Sequence, residues 1–218
     1  MDLTLYDMPK SRAFRVRWLL EELGLDYRLE PVDIFSAAAQ SPAYRAIHPL
    51  GQVPALRADD TVMFESGAIL NWLADIHPEA QLAPLPDAPA RAEYEQWMFF
   101  AVGTLEFSAW EIALHERILP EDKAVKAIVP FARMRYREAL GVLEPVINGR
   151  DYLVDDRFTA ADILTGHTLM WFPELLDDYP ALRAYTRRLS RRRGFLQARR
   201  RDKPHTAGRR HAETQHED

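Results

Sequence analysis

The sequence contains no cysteine among its 218 residues. Disulfide bonds, zinc sites built from thiolates and a cysteine nucleophile are therefore all excluded. If this protein carries out thiol chemistry, a ligand must supply the thiol.

Long apolar runs are also absent. No stretch approaches the roughly 20 apolar residues that a membrane-spanning helix needs. The first residues, Met1 to Thr4, lack the basic and apolar segments of a signal peptide. With 47% hydrophobic and 28% charged residues, the composition is typical of a soluble globular protein. We therefore expect a cytoplasmic protein without a membrane partner.

A positive net charge is missing too, since the formal charge is −5, and we expect no nucleic-acid partner. Arginines nevertheless crowd the C-terminal end, at Arg187, Arg188, Arg191, Arg192, Arg193, Arg199, Arg200, Arg201, Arg209 and Arg210. They indicate either a basic surface for nucleic acid or an acidic membrane, or a solvated helix end that continues into disorder. We favour the solvated end, because Phe195 is the one aromatic residue among them that could stack on a base.

A hairpin followed by a helix is the most informative local pattern. Val53 to Leu56 and Thr61 to Phe64 are short β-rich runs on either side of a polar turn, and they predict two paired strands. Pro54 fits the start of the first strand, where no ladder donor is needed. If the Val53–Pro54 peptide bond is cis, the backbone N–H and C=O of Val53 turn away from the sheet and can bind another backbone.

Glu65 and Ser66 end the second strand and open the helix. Apolar residues then follow at helical spacing, namely Ile69, Leu70, Trp72, Leu73 and Ile76. Ser66 is the predicted N-cap, and the free N–H groups beside it suit a carboxylate ligand. This stretch therefore offers backbone groups that can pair with a peptide and a helix N-terminus that can bind an anion, which together fit a small peptide that carries a carboxylate.

The preceding residues predict a βαβ unit. Leu3 to Tyr6 is a strand, a helix begins at about Arg12, and Tyr27 to Val32 is a second strand that should run parallel to the first. Phe35 to Ile47 predicts a short helical crossover. The complete order, βαβ-α-ββα, is that of the thioredoxin fold.

The remainder predicts an all-helical region. Residues 79–89 form a proline-rich linker between a first domain at 1–78 and a second at 90–201, and residues 202–218 form a tail that we expect to be disordered. The tail histidines, His205, His211 and His216, are too widely spaced for a metal site. Helices are predicted at Ala90 to Ile118, at Glu121 to Leu143 with a break or a start at Pro130, and at Leu182 to Leu189.

One further helix start has a specific mechanism. Thr159 can cap the N–H of Asp162, and Asp162 can accept from the N–H of Thr159 in return. Phe158 can pack against Ile163 and fix the entry of the chain into the helix.

The ordered combination HPLGQVPAL, then VMFESGAILNWL, resembles the glutathione-binding half of the glutathione S-transferases. Their pattern is Asn-Pro-x-Gly-x-Val-Pro-x-Leu followed by Glu-Ser-x-Ala-Ile, and His48 stands here in place of the asparagine. The Phe158 to Ile163 helix start resembles one in their second domain, although Asp155 stands where a glycine is usual.

The resemblance implies an N-terminal thioredoxin-like α/β domain followed by an all-helical bundle. It also implies glutathione as co-substrate, no metal, a homodimer, and conjugation of the thiolate to an apolar electrophile, as in detoxification. Two alternatives remain open. Glutathione could be used in isomerisation, reductive cleavage or peroxide reduction, or the chain could be a non-catalytic adaptor on the same fold.

Site residues follow by position from the resemblance. Val53 would hold glutathione through its backbone beside Pro54, Glu65 and Ser66 would hold the γ-glutamyl end, and Gln52 would hold the glycine end.

Two hydroxyl groups could stabilise the thiolate. Ser11 matches the serine-type members, and Tyr6, with Arg12 nearby, matches the spacing of the tyrosine-type members. We favour Ser11, because a hydroxyl at a helix start adds the helix dipole to its hydrogen bond. For the electrophile we expect the helix after the linker, around Phe99, Leu105 and Trp110, although most of these side chains would also suit the core.

Overall fold

The computed structural model describes residues 1–202, which begin with a four-stranded sheet. Its strands are Leu3–Asp7 (β1), Arg28–Pro31 (β2), Ala55–Ala58 (β3) and Thr61–Phe64 (β4), in the order β2-β1-β3-β4. Strands β1 and β2 are parallel and are joined by helix α1, Ala13–Leu23, so the predicted βαβ unit is confirmed. The hairpin is also confirmed, although β3 begins at Ala55, and the Val53–Pro54 bond is cis.

The predicted crossover helix is wrong in its extent. The chain forms a 3₁₀ turn at Ala37–Gln40 and a single-turn helix, α2, at Pro42–Arg45. Between them Ser41 is extended, because a residue that precedes proline avoids the helical conformation. The Ser41 hydroxyl then caps α2 by accepting from the Tyr44 N–H at 3.3 Å.

Helix α3 spans Ser66–Ile76, and the prediction that Ser66 is its N-cap is wrong. Ser66 is the first helical residue, and the N-cap is Glu65, whose φ of 72° and ψ of 109° are uncommon for a residue with a side chain. The Ser66 hydroxyl is therefore not used to cap its own helix.

Six helices form the second region. They are Arg91–Phe100 (α4), Glu106–Ala113 (α5), Val129–Ile147 (α6), Ala160–Leu169 (α7), Pro180–Leu189 (α8) and Arg193–Arg201 (α9). Two π-helical turns, Ala101–Leu105 and Leu114–Ile118, continue α4 and α5, which confirms one long helical stretch up to Ile118. Pro130 lies in the first turn of α6 and so marks a helix start.

The predicted capping box begins α7. The Thr159 N–H donates to Asp162 Oδ2 at 2.8 Å, and the Thr159 side chain faces the Asp162 N–H in return. Asp162 Oδ1 also accepts from the Leu153 N–H at 3.0 Å and from the Tyr185 hydroxyl at 2.8 Å. Asp155, with a φ of 49°, adopts the left-handed conformation that a glycine would adopt more easily.

Helix α9 forms the described part of the arginine-rich end, and its arginines Arg193, Arg199, Arg200 and Arg201 are exposed to solvent, as expected. It packs against α1, and Phe195, only 7% exposed, lies with its ring centroid 5.0 Å from that of Trp18 and 5.2 Å from that of Phe14. Phe195 is therefore a core residue and cannot serve as a stacking platform. Gly194 permits this approach, because a Cβ there would lie 2.6 Å from the carboxyl carbon of Glu22.

A continuous core connects the sheet to the helices, so the domain boundaries at 78 and 90 stay predictions. Within residues 1–202, no helix is long and apolar enough to cross a membrane. The same part of the chain contains no cluster of histidine and carboxylate side chains that could hold a metal. The tail histidines lie outside the described residues.

Candidate active site

A cavity of about 620 Å³ lies where the ends of the sheet elements face the helical region. Six of the predicted site residues line it, namely Ser11, Gln52, Val53, Pro54, Glu65 and Ser66. Tyr6 does not line this cavity. It is 8% exposed and packs edge-to-face against Tyr44, with their ring centroids 5.8 Å apart.

Ser11 lies in the turn that joins β1 to α1. Its hydroxyl donates to the Met8 carbonyl at 2.7 Å and accepts from the Ala13 N–H at 3.1 Å. The hydroxyl has a single proton, so it can donate to a ligand only by rotating away from Met8. The Ala13 N–H at the start of α1 already donates to the Ser11 hydroxyl, and the N–H groups of Phe14 and Arg15 donate to the carbonyls of Ser11 and Arg12.

Arg15 is a cavity residue that the sequence reasoning missed. It is completely buried on α1 and forms an ion pair with Glu106 at 2.6 Å. Its guanidinium also donates to Ser66 Oγ at 3.2 Å, to Thr168 Oγ1 at 2.9 Å and to His167 Nδ1 at 3.0 Å. A guanidinium can only donate, so Ser66 accepts from Arg15 and keeps its own proton for another partner.

Glu106 completes a buried cluster of charges. Arg12, the N-cap residue of α1, pairs with the same carboxylate, and Arg15 lies in the first turn of α1. Burial alone would raise the pKa of Glu106, but the neighbouring Arg15 and Arg12 guanidiniums hold it below its ordinary value of 4.5. Burial and the same cations keep the pKa of His167 well below 6.5, so His167 is neutral and can accept from Arg15.

The cavity also has an apolar part of its lining. It consists of Phe35, Val102, Trp110, Ile118 and Trp171. The guanidinium of Arg12 lies 4.4 Å from the centre of the Trp110 ring, within the range of a cation–π contact.

Among the residues expected to meet the electrophile, only Trp110 lines the cavity. Phe99 is 71% exposed, and Leu105 is completely buried in the core. The core alternative is therefore the right one for Leu105, and neither side chain contributes to the apolar part of the lining.

His48 also lines the cavity, at the position where the resemblance expects an asparagine. Its Nδ1 accepts from the Leu50 N–H at 3.3 Å, as the side chain of an asparagine commonly does two residues before a turn N–H. Burial lowers the pKa of His48, which keeps Nδ1 available as an acceptor. The histidine therefore fulfils the local role of the asparagine that it replaces.

Comparisons with known proteins identify the family. Residues 1–75 match the family model for the glutathione S-transferase N-terminal domain, and residues 111–193 match that for the C-terminal domain. Glutathione S-transferase 3 of Zea mays is 32% identical over 171 residues, which cover 77% of this chain and 76% of that protein. Elongation factor 1-gamma of Carassius auratus is 30% identical over 188 residues, which cover 83% of this chain and 40% of that protein.

Among solved structures, a glutathione transferase homologue from Sulfitobacter with bound glutathione is 25% identical and has a TM-score of 0.78. The match covers 92% of this chain and 98% of that one. Together with the two domain matches and the similarity to the maize protein, this shows that the chain belongs to the glutathione S-transferase family.

Proposed function

We propose that this protein binds glutathione, stabilises its thiolate through Ser11, and transfers the sulfur to an apolar electrophile. The observation that carries the proposal is that one cavity is lined both by the six predicted residues and by apolar side chains such as Trp110 and Trp171. A thiol with an ordinary pKa of ~8.5 is only a few per cent ionised at neutral pH, so the enzyme must stabilise the anion.

The γ-glutamyl end of glutathione carries both a carboxylate and an ammonium group. Ser66 suits the carboxylate, because its hydroxyl proton is available and the first N–H groups of α3 lie beside it. Glu65 suits the ammonium, because its carboxylate lines the cavity at the end of β4. Val53 precedes β3, so its backbone groups lie outside the β3 ladders and can pair with the peptide.

The sulfur would then lie near the turn that holds Ser11. Rotation of the Ser11 hydroxyl away from Met8 would direct its proton to the thiolate, and the start of α1 would add the favourable field of the helix. Arg12 also lines the cavity, where it shares the Glu106 carboxylate with Arg15 and lies over the Trp110 ring. Trp110 and Trp171 would pack against an apolar substrate.

Calorimetric titration with glutathione, followed by mass analysis after mixing with an activated aryl chloride, tests the proposal. The expected result is saturable binding and a conjugate in which the aryl group replaces the thiol hydrogen of glutathione, with chloride released as the S–aryl bond forms and the C–Cl bond breaks. Recovery of unchanged glutathione beside an isomerised substrate, or of its disulfide, would replace conjugation by one of the other glutathione-dependent reactions. Absence of binding would favour a non-catalytic adaptor.

We also propose that the protein is a homodimer. Phe107 and Phe131, 65% and 59% exposed, line one hollow of about 270 Å³ between α5 and α6. Paired exposed aromatic side chains of this size are typical of a surface that is covered by a partner.

A further inference from the structure

The turn that carries Ser11 receives little support from regular secondary structure. It follows the last residue of β1, Asp7, and precedes the first residue of α1. Lys10 in this turn has a φ of 60°, in the left-handed region that side chains with a Cβ rarely adopt. Such a conformation persists only where the surrounding structure enforces it.

Asp202, immediately after α9, supplies such a restraint from the other end of the described chain. Its Oδ1 accepts from the Lys10 N–H at 3.2 Å and from Arg17 Nη2 at 3.0 Å. The Asp202 side chain is 19% exposed; its bond to Arg17 is partly buried, and its bond to Lys10 lies at the surface. The backbone of the strained residue is therefore held by a carboxylate that lies 192 positions away.

Arg17 contacts both Asp7, where the turn begins, and Asp202, which binds Lys10 in the middle of the turn. Its side chain is completely buried, and Nη2 donates to Asp7 Oδ1 at 2.8 Å as well as to Asp202. Arg17 Nη1 donates to the Ala198 carbonyl of α9 at 3.1 Å. The entry of the turn, at Asp7, and its middle, at Lys10, are thus fixed relative to one buried cation and to α9.

We propose that Asp202 is a positioning residue for Ser11, so that α9 sets the geometry of the thiolate site without touching the substrate. The proposal rests on the function proposed above. Without the bond to Lys10, the middle of the turn loses its contact with Asp202, although Asp7 still binds Arg17 and Ser11 still binds Met8 and Ala13. The Ser11 hydroxyl then no longer has a fixed distance from the sulfur. The residues that would hold the rest of glutathione lie on other elements and keep their places.

The test compares Asp202→Ala with two variants of the full chain. Asp202→Asn keeps an oxygen that can accept from the Lys10 N–H. Arg201→Ala is the matched control, because Arg201 also ties the end of α9 to α1, through Glu21 at 3.2 Å, but does not contact the turn. Thermal unfolding establishes that each variant is folded.

Asp202→Ala is expected to lower kcat about 10-fold and to raise the pKa of the bound thiol, with KM for glutathione unchanged, since small displacements of a catalytic group lower kcat without weakening remote contacts. Asp202→Asn should recover most of the loss, and Arg201→Ala should leave kcat and the thiol pKa as they were. Unchanged kcat and thiol pKa in Asp202→Ala, or an equal loss in Arg201→Ala, would overturn the proposal.

Amide hydrogen exchange measured by mass spectrometry separates this proposal from the proposed function. Peptides covering residues 8–13 should exchange faster in Asp202→Ala than in Arg201→Ala, even if the protein turns out not to bind glutathione. Equal exchange in the two variants would overturn the restraint itself. Faster exchange without any glutathione binding would contradict the proposed function and leave the restraint in place.

Discussion

At the scale of single residues, Ser66 shows how a buried neighbour prepares a side chain for a ligand. The Arg15 guanidinium occupies one lone pair of the Ser66 hydroxyl at 3.2 Å, so the hydroxyl proton is the group left to offer. A carboxylate in the cavity is the partner that this arrangement suits. Arg15 itself is held by Glu106, so its own position does not depend on the ligand.

Ser66→Ala should weaken glutathione binding by about 1–3 kcal/mol, because one donor to the γ-glutamyl carboxylate is lost and the Arg15 guanidinium loses an acceptor. Calorimetric titration of the folded variant measures the change. Ser190→Ala, whose hydroxyl bonds only the Arg187 carbonyl on α8, serves as the control. Equal affinity in Ser66→Ala and the native protein would show that the γ-glutamyl end binds elsewhere.

Glu106 should matter for stability in a pH-dependent way. Its folded-state pKa lies below 4.5, so its stabilising contribution is present above that pH and is lost as the pH falls through the folded-state value. Glu106→Gln should lower the free energy of unfolding at pH 7 by about 3 kcal/mol, because Arg15 then lacks a counter-charge. The difference from the native protein should shrink below pH 4.5.

Urea unfolding from pH 7 to pH 3 measures both effects. Glu95→Gln is the matched control, since Glu95 pairs with Arg91 at 2.7 Å with 36% of its side chain exposed, and such pairs contribute about 1 kcal/mol or less. A Glu106→Gln difference that stays constant with pH would contradict the assignment of an ionised Glu106.

At the scale of elements, the start of α7 depends on the capping box. Thr159→Ala should cost about 1 kcal/mol of stability. Asp162→Ala should cost more, about 3 kcal/mol, because the Thr159 and Leu153 N–H groups and the Tyr185 hydroxyl would all lose their acceptor. KM for glutathione should stay unchanged in Thr159→Ala. Native melting behaviour in both variants would refute this account of the helix start.

Elements with a local cause could be predicted from the sequence. The hairpin, the βαβ unit and the capping box depend on residues close together in the chain. Helix α9 could not be predicted, because its stability comes from Phe195 packing on α1 and from the close approach that Gly194 allows. The prediction of one continuous crossover helix was wrong for a reason that the sequence contains, because Pro42 keeps Ser41 out of the helical conformation.

The candidate site likewise has residues that could be predicted from the sequence and residues that could not. Six cavity residues were predicted through the family resemblance of the motifs that contain them, although Ser66 proved to lie inside its helix and not at the cap. The cluster around Glu106 was missed, because Arg12 and Glu106 are 94 positions apart and nothing local to either indicates the other. Long-range ion pairs of this kind become visible only when the helices are packed.

At the scale of the whole molecule, the native protein should sediment as a species of twice 25.2 kDa at micromolar concentration. Phe107→Asp should shift it toward the monomer, because a charge cannot be buried in an apolar interface without a partner. Leu85→Asp, which alters a side chain that is 56% exposed in the linker, should not. A native protein that sediments only as a 25.2 kDa species would contradict the homodimer.

The most direct test of the central claim is an ultraviolet titration of the thiolate in the complex with glutathione. The account predicts that the pKa of the bound thiol lies below the ordinary value of ~8.5. Ser11→Ala should raise this pKa and lower turnover by ~10- to 1000-fold, whereas Tyr6→Phe should leave the pKa unchanged. If Tyr6→Phe raises the thiol pKa and Ser11→Ala does not, or if the bound thiol titrates like the free one, the claim that Ser11 stabilises the thiolate is contradicted.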